Sequence, residues 1–362
     1  MATIFNRSRE LWPMDRRTFV SGSLNMSRAS CPLAPTPGIC SLMEKESHFF
    51  IVCFCLFICF KTIATEAHAH GFTKLFVFGD SYVDTGNRNF SARSWNQPYG
   101  ITLPGKPAGH YSNGRVFSDY IASWMGIRSP TPYRWRKMEN TSLEYGMNFA
   151  FGGTGVFDTL VSAPNMTIQI DLFQRQLQKK LYTKVDLNSS IALVSLAGND
   201  YTAYLARNGT TEGLSAFTKS MIKQLGLNLQ RIHGLGVRKI AHIGQFSCLV
   251  SQPSIGENRG KAEQQSKESV FVILNMYKAF LSALKKQASQ PGTLKFKDPL
   301  RPCCEAVSTG YKCGNTEHGK RMYVVCNNPN STFFWDDVHP SQAGWRAVYL
   351  ALKSSAYSLA LM

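Results

Sequence analysis

Three short β-prone runs, residues 74–78 (KLFVF), 191–196 (IALVSL) and 238–243 (RKIAHI), are separated by segments whose apolar residues recur every three or four positions. This alternation is the strongest constraint on the fold. Strands joined by helical crossovers of this length build a mainly parallel sheet covered on both faces, so the expected class is α/β, a three-layer α/β/α sandwich. The spacing predicts helices over 116–125 (VFSDYIASWM) and over 215–235, where Phe217, Met221, Ile222, Leu225, Leu229 and Ile232 share a face before Gly234 and Gly236. It also predicts a long helix around 268–287 and a last helix after Pro340, whose fixed φ suits an early helical position. Ligands bind beyond the carboxyl ends of strands in such sheets, which directs attention to residues 79–81 and 198–200.

The first 69 residues read differently. Residues 49–60 are apolar and free of charge, too short for the ~20 residues a spanning helix needs but suited to a secretory apolar core. Behind them Ala67-His68-Ala69 has the small-x-small pattern that signal peptidase cuts. The expected organisation is an N-terminal extension over 1–42, a signal peptide over 43–69 and one large domain over 70–362. A buried helix or a retained signal anchor are the competing readings of the apolar run. Export would fit the composition that remains. Residues 1–69 hold seven of the 40 Lys and Arg and five of the 23 Asp and Glu, so the remainder carries a net charge of +15. The basic residues are scattered and no nucleic-acid module is present, so no nucleic-acid partner is expected; an anionic cell-wall or membrane surface is.

Four of the ten cysteines, Cys303, Cys304, Cys313 and Cys326, lie close together, and in an exported chain they read as two disulfides. Adjacent Cys303 and Cys304 are poor partners for each other, so each is expected to reach Cys313 or Cys326, in either pairing. A zinc site lacks the C-x-x-C spacing that would support it. Asn-x-Ser/Thr sequons stand at Asn89, Asn140, Asn165, Asn188, Asn208 and Asn330, candidate glycosylation sites on surface loops.

The run at 74–87 (KLFVFGDSYVDTGN) stops at Gly79-Asp80-Ser81, yet no Gly-x-Ser-x-Gly pentapeptide occurs in the chain. Ser81 is therefore either a turn serine or a nucleophile whose partners lie elsewhere. Ester hydrolysis by serine needs a base, a group that orients the base, and donors for the oxyanion. Among the histidines after residue 69, His242 falls in a strand, His233 near a helix end, and His70, His110 and His318 in polar loops. His339 differs, because Asp336 precedes it by three positions, close enough to reach the ring nitrogen that does not face the serine. Alone, that spacing fits a capping Asp beside a surface His equally well. The glycine cluster in 145–156 (YGMNFAFGGTGV) leaves backbone N–H groups free to approach a ligand, or forms a plain turn. Asn199, in LAGND, offers a side-chain amide to the same anion, or an Asx turn.

Taken together these segments resemble the GDSL or SGNH hydrolase family, in particular its plant secreted esterase/lipase branch. The blocks occur in the family's order: Gly79-Asp80-Ser81, Asn148 to Gly155, Gly198-Asn199-Asp200, and Asp336-x-x-His339. The likeness continues through 111–122 (YSNGRVFSDYIA), 302–305 (PCCE) and 326–345 (CNNPNSTFFWDDVHPSQAGW), covering residues 72–352. The resemblance implies a flavodoxin-like sandwich with Ser81 as nucleophile, His339 as general base and acid, and Asp336, not Asp337, as the orienting carboxylate. It places the oxyanion hole at the N–H of Ser81, the N–H of Gly153, with Gly152 as near rival, and the Asn199 side chain. It implies a small-molecule or lipid ester substrate, with no metal and no cofactor. Residues 246–250 (FSCLV) depart from the family's Gly-Cys-Leu-Pro pattern at Cys248. The same residues could pass the acyl group to an alcohol, as an acyltransferase, or the fold could serve a non-catalytic secreted binding protein.

Overall fold

A computed structural model describes residues 71–139, 142–196, 198–244, 270–285, 296 and 298–361. The extension, the signal segment, His70, Asn140 and Cys248 lie outside the described residues. A six-stranded sheet forms from β1 (Lys74–Gly79), β2 (Thr131–Pro132), β3 (Gly146–Asn148), β4 (Ser190–Ser195), β5 (Lys239–Gly244) and β6 (Phe271–Asn275). Every pairing is parallel, in the order β2-β3-β1-β4-β5-β6. The helices are α1 (Phe117–Trp124), α2 (Met166–Gln178), α3 (Lys184–Asn188), α4 (Asn199–Ala206), α5 (Leu214–Gly234), α6 (Met276–Lys285) and α7 (Gln342–Leu361).

The period-two geometry of a strand explains how one sheet feeds two cores. From β1, Leu75 and Val77 point to one face and pack with Ile121 and Trp124 of α1, Met276 and Ala279 of α6, and Trp345 and Val348 of α7. Phe76 and Phe78 point to the other and pack with Ile170 and Phe173 of α2 and Leu225, Leu229 and Ile232 of α5. All four β1 side chains are fully buried, as the near-continuous apolar run requires. Three layers result.

One expected element is corrected. Among the described residues, the segment assigned to a long helix around 268–287 holds β6 first, and α6 begins only at Met276. The run Phe271-Val272-Ile273-Leu274 is aromatic and β-branched, and it completes the sheet in register with β5, Ile243 opposite Leu274. Tertiary pairing overrides the helical spacing that the segment shares with its continuation.

Beyond β6 the chain makes smaller pieces: β7 (Cys304–Ala306), β8 (Thr316–Glu317), β9 (Lys320–Arg321) and β10 (Tyr323–Val325). β7 pairs antiparallel with β10, and β8 with β9. Disulfides join Cys303 to Cys326 and Cys304 to Cys313, which decides the pairing that the sequence left open.

The strand order places β1 between β3 and β4, so the chain leaves β1 toward one side of the sheet and later returns on the other. Such a reversal opens a crevice at the carboxyl ends of the strands. The segments following β1, β3 and β4 all reach it.

Candidate active site

Ser81 stands two residues past β1. The strand ends on Gly79, at φ +145°, where an added Cβ would sit 2.0 Å from the Ser195 carbonyl oxygen of β4. Only glycine lets the chain turn there against its neighbouring strand. Gln169 of α2 brackets the same residue, its Oε1 accepting the Gly79 N–H (2.8 Å) and its Nε2 donating to the Gly79 carbonyl (2.9 Å). After the turn, Asp80 Oδ1 accepts the Tyr82 N–H (3.0 Å), while its carbonyl accepts the N–H groups of Val83 and Asp84. Asp80 thus caps the turn that presents Ser81.

His339 arrives on the loop before α7, with its Nε2 2.9 Å from Ser81 Oγ. On the far side of the ring, Nδ1 is 2.8 Å from Asp336 Oδ1 and 2.9 Å from Oδ2. The carboxylate also accepts the N–H groups of Val338 (2.9 Å) and His339 (2.8 Å), and the Tyr99 hydroxyl donates to Oδ2 at 2.6 Å. Burial pushes the Asp336 carboxyl up, but the charge and hydrogen bond of His339, the Tyr99 hydroxyl and the Val338 N–H outweigh it and hold the group below the usual carboxylate range. An ionised Asp336 keeps its acceptor face toward Nδ1 and so holds the imidazole with Nε2 toward Ser81 Oγ. Asp337 is exposed.

Aromatic rings enclose the imidazole. Tyr111 stacks on it with centroids 5.0 Å apart, and Tyr82 meets it edge-on at 6.0 Å. The loop itself is tied at both ends: Trp335 N–H donates to the His339 carbonyl (2.7 Å) and Ser341 N–H to the Phe333 carbonyl (2.8 Å). The disulfide unit holds it from outside, because the Cys303 N–H donates to the Phe334 carbonyl (3.0 Å) and the Cys304 N–H to that of Trp335 (2.7 Å).

The glycine cluster follows β3. Gly152 N–H donates to Asp84 Oδ2 (2.8 Å) and is spent there. Gly153 has φ +84°, in the left-handed region. Among the described residues neither the Gly153 N–H nor the Ser81 N–H meets a hydrogen-bond acceptor. Asn199, the first residue of α4, donates from Nδ2 to the Thr154 carbonyl (2.9 Å) and to Asp80 Oδ2 (3.2 Å). Asn199 thereby links the turn at Asp80 to the glycine cluster at Thr154.

Several buried polar residues position these turns, Asn148 and Asp200 from the family blocks named above and Asp84 and Asn87 from outside them. Asp84 accepts the N–H groups of Gly86 and Asn87 on Oδ1, both at 2.8 Å, besides that of Gly152 on Oδ2. Burial pushes its carboxyl up to about 6 even though those N–H groups and His110 pull it down. Asn148 reaches back to the Val83 carbonyl and the Thr85 hydroxyl, and Asn87 donates to the carbonyls of Asn148 and Ala150. Asp200 accepts the N–H groups of Val156 (3.0 Å) and Phe157 (2.9 Å), fixing the far end of the glycine cluster. Asp84 and Asn87 had a local signal, an Asp-x-Gly-Asn turn pattern; Tyr99 and Gln169 had none, because their partners lie 237 and 90 residues away.

His110, His233 and His242 lie outside the line from Ser81 through His339 to Asp336. His110 Nδ1 pairs with the Gly114 carbonyl, His233 Nδ1 with that of Val237, and His242 is buried within β5. Of the sequons, Asn89, Asn188, Asn208 and Asn330 are exposed, whereas Asn165 is half-buried and caps α2 through the Ile168 N–H.

The sequence pattern of the GDSL-like Lipase/Acylhydrolase family matches residues 75–352. A GDSL esterase/lipase of Arabidopsis thaliana is 46% identical over 311 residues, 78% of this chain and 86% of the relative. A second from the same plant is 44% identical over 308 residues, covering 77% and 87%, and a third is 42% identical over 307 residues, covering 77% and 86%. With the pattern spanning both ends of the sheet and the segments that meet at its crevice, the chain belongs to the GDSL-like lipase/acylhydrolase family.

Proposed function

We propose that the chain is a secreted serine esterase/lipase that hydrolyses carboxylic esters through an acyl-Ser81 intermediate. The observation that carries the reading is the unbroken line of hydrogen bonds from Ser81 Oγ through His339 to Asp336. In the first step Ser81 Oγ attacks the ester carbonyl while His339 Nε2 takes its proton, and Asp336 stabilises the imidazolium that forms. The carbonyl oxygen becomes an anion facing the N–H groups of Ser81 and Gly153, neither of which is engaged among the described residues. Asn199 supplies a third donor by exchanging its longer contact, the 3.2 Å one to Asp80, for the oxyanion. His339 then protonates the departing alcohol, and water, activated by the same nitrogen, attacks the acyl-serine carbonyl to release the acid and restore Ser81.

Export rests on the apolar run at 49–60 with its Ala67-His68-Ala69 site, and the exposed sequons suit glycosylation on that route. No helix among the described residues is long and apolar enough to cross a membrane. The net charge of +15 beyond residue 69 favours an anionic cell-wall or membrane surface as the place of action. The test expresses the full chain in a plant secretory system and assays the medium with short- and long-chain p-nitrophenyl esters, for the native chain and for Ser81→Ala. The expected result is hydrolysis by the native chain alone. Absence of hydrolysis, or equal rates for the two, would sink the reading.

A further inference from the structure

We propose that Tyr99 is a positioning residue for the reaction, acting through Asp336 to set the orientation and basicity of His339. The inference rests on the assignment of Ser81, His339 and Asp336 made above. It starts from an asymmetry in how the carboxylate is held. Oδ1 accepts two backbone N–H groups and faces Nδ1, whereas Oδ2 has, besides Nδ1, one donor among the described residues, the Tyr99 hydroxyl at 2.6 Å. Without that hydroxyl one oxygen would be anchored by the backbone and the other held only by the base it is meant to orient.

Tyr99 is built to stay where it is. It is fully buried, its ring meets Tyr111 at 6.0 Å and Trp335 at 6.3 Å, both edge-on, and it belongs to the cluster of Cys303, Cys304, Cys313, Tyr323 and Trp335. Gly314, just past the Cys304–Cys313 bridge, leaves room for the ring, since a Cβ there would come 3.3 Å from it. Tyr111, its neighbour, stacks on the imidazole, so the two tyrosines grip the Asp336–His339 pair from one side. Burial and the Asp336 charge both keep the phenol protonated, which preserves it as a donor.

The electrostatic consequence has a definite sign. A donor on Oδ2 withdraws negative charge from the carboxylate and so weakens its hold on a proton at His339. The other groups facing the pair are Ser81, Tyr82 and Tyr111, with Asp80 and Arg93 bearing on Tyr82 and Tyr99, and Asp84, Arg88 and Arg93 bearing on Tyr111. None of these changes when only the Tyr99 hydroxyl is removed. Tyr99→Phe keeps the ring and deletes the donor.

The experiment measures kcat and KM for p-nitrophenyl ester hydrolysis across pH for the native chain, Tyr99→Phe and Ser81→Ala. For Tyr99→Phe the expected result is a kcat lower by about 10-fold with KM unchanged, and an acid limb of kcat/KM moved to higher pH by on the order of half a unit. Site-specific 3-fluorotyrosine at position 99 keeps ring and hydroxyl but donates more strongly, and it moves the limb the other way, which keeps the test open if Tyr99→Phe does not fold. A kcat and limb equal to those of the native chain, or a loss of kcat with the limb unmoved in both variants, overturns the proposal. A native chain inactive alongside Ser81→Ala would instead overturn the assignment beneath it.

Discussion

Asn199 carries two burdens at one nitrogen. Its Nδ2 ties the glycine cluster through Thr154 and steadies Asp80, and the proposed chemistry asks the same group to meet the oxyanion. Asn199→Ala is therefore expected to lower kcat by about 10²–10³-fold while leaving KM within a few-fold, because the donation is strongest in the transition state. Steady-state kinetics on the variant checks this; an unchanged kcat would remove Asn199 from the site. At this scale the sequence was legible wherever partners are close along the chain. Asp336 and His339 are three residues apart, and Gly153 stands five residues after Asn148, so the pattern could be read along the chain. Tyr99 was invisible because nothing local marks a tyrosine as the partner of a carboxylate 237 residues away.

Between residues and the whole fold stands the loop of residues 333–341, which owes its shape to the disulfide unit beside it. Cys303 and Cys304 each bond covalently to a distant cysteine and donate an N–H to the segment that carries Asp336. Replacing Cys304 and Cys313 together by serine is expected to cost about 2–3 kcal/mol of stability, and to reduce kcat as well, since Trp335 and Tyr99 lose their backing. Chemical denaturation and kinetics on the double variant measure the two effects; full stability with native kcat would contradict this account of the loop. The presence of two bridges was legible from the clustering of four cysteines, but their pairing was not, because both choices close short loops. The misread segment around 268–287 has a related cause. Its first part is apolar enough for either periodicity, and only the open edge of β5 selects a strand.

For the molecule as a whole, His242 couples stability to pH. It is buried in the middle of β5, and burial pushes its imidazole down to about 4 against the opposing hydrogen bond of Val194. The unfolded chain, with an ordinary histidine near 6.5, binds the proton first, so stability is fully present above that pH and is lost as pH falls toward 4. The term amounts to roughly 3 kcal/mol at most. His242→Gln is expected to flatten the acid side of the stability curve relative to the native chain, measured by denaturant unfolding between pH 4 and 7. Parallel curves for the two would show that His242 does not carry the dependence. The parallel sheet and its helical layers were legible from the alternation of short apolar runs with helical spacing, because burial on both faces leaves that mark on β1, β4 and β5. The short strands β2 and β3 left no such mark, since two or three residues beside glycine and proline carry no period.

In the proposed reaction Ser81 Oγ takes the acyl group. The direct measurement is mass spectrometry of the chain quenched in acid during turnover of a p-nitrophenyl ester, followed by proteolysis. The account predicts an acyl adduct on the peptide containing Ser81, and none in Ser81→Ala. An adduct on another peptide, or hydrolysis that persists in Ser81→Ala, would contradict it.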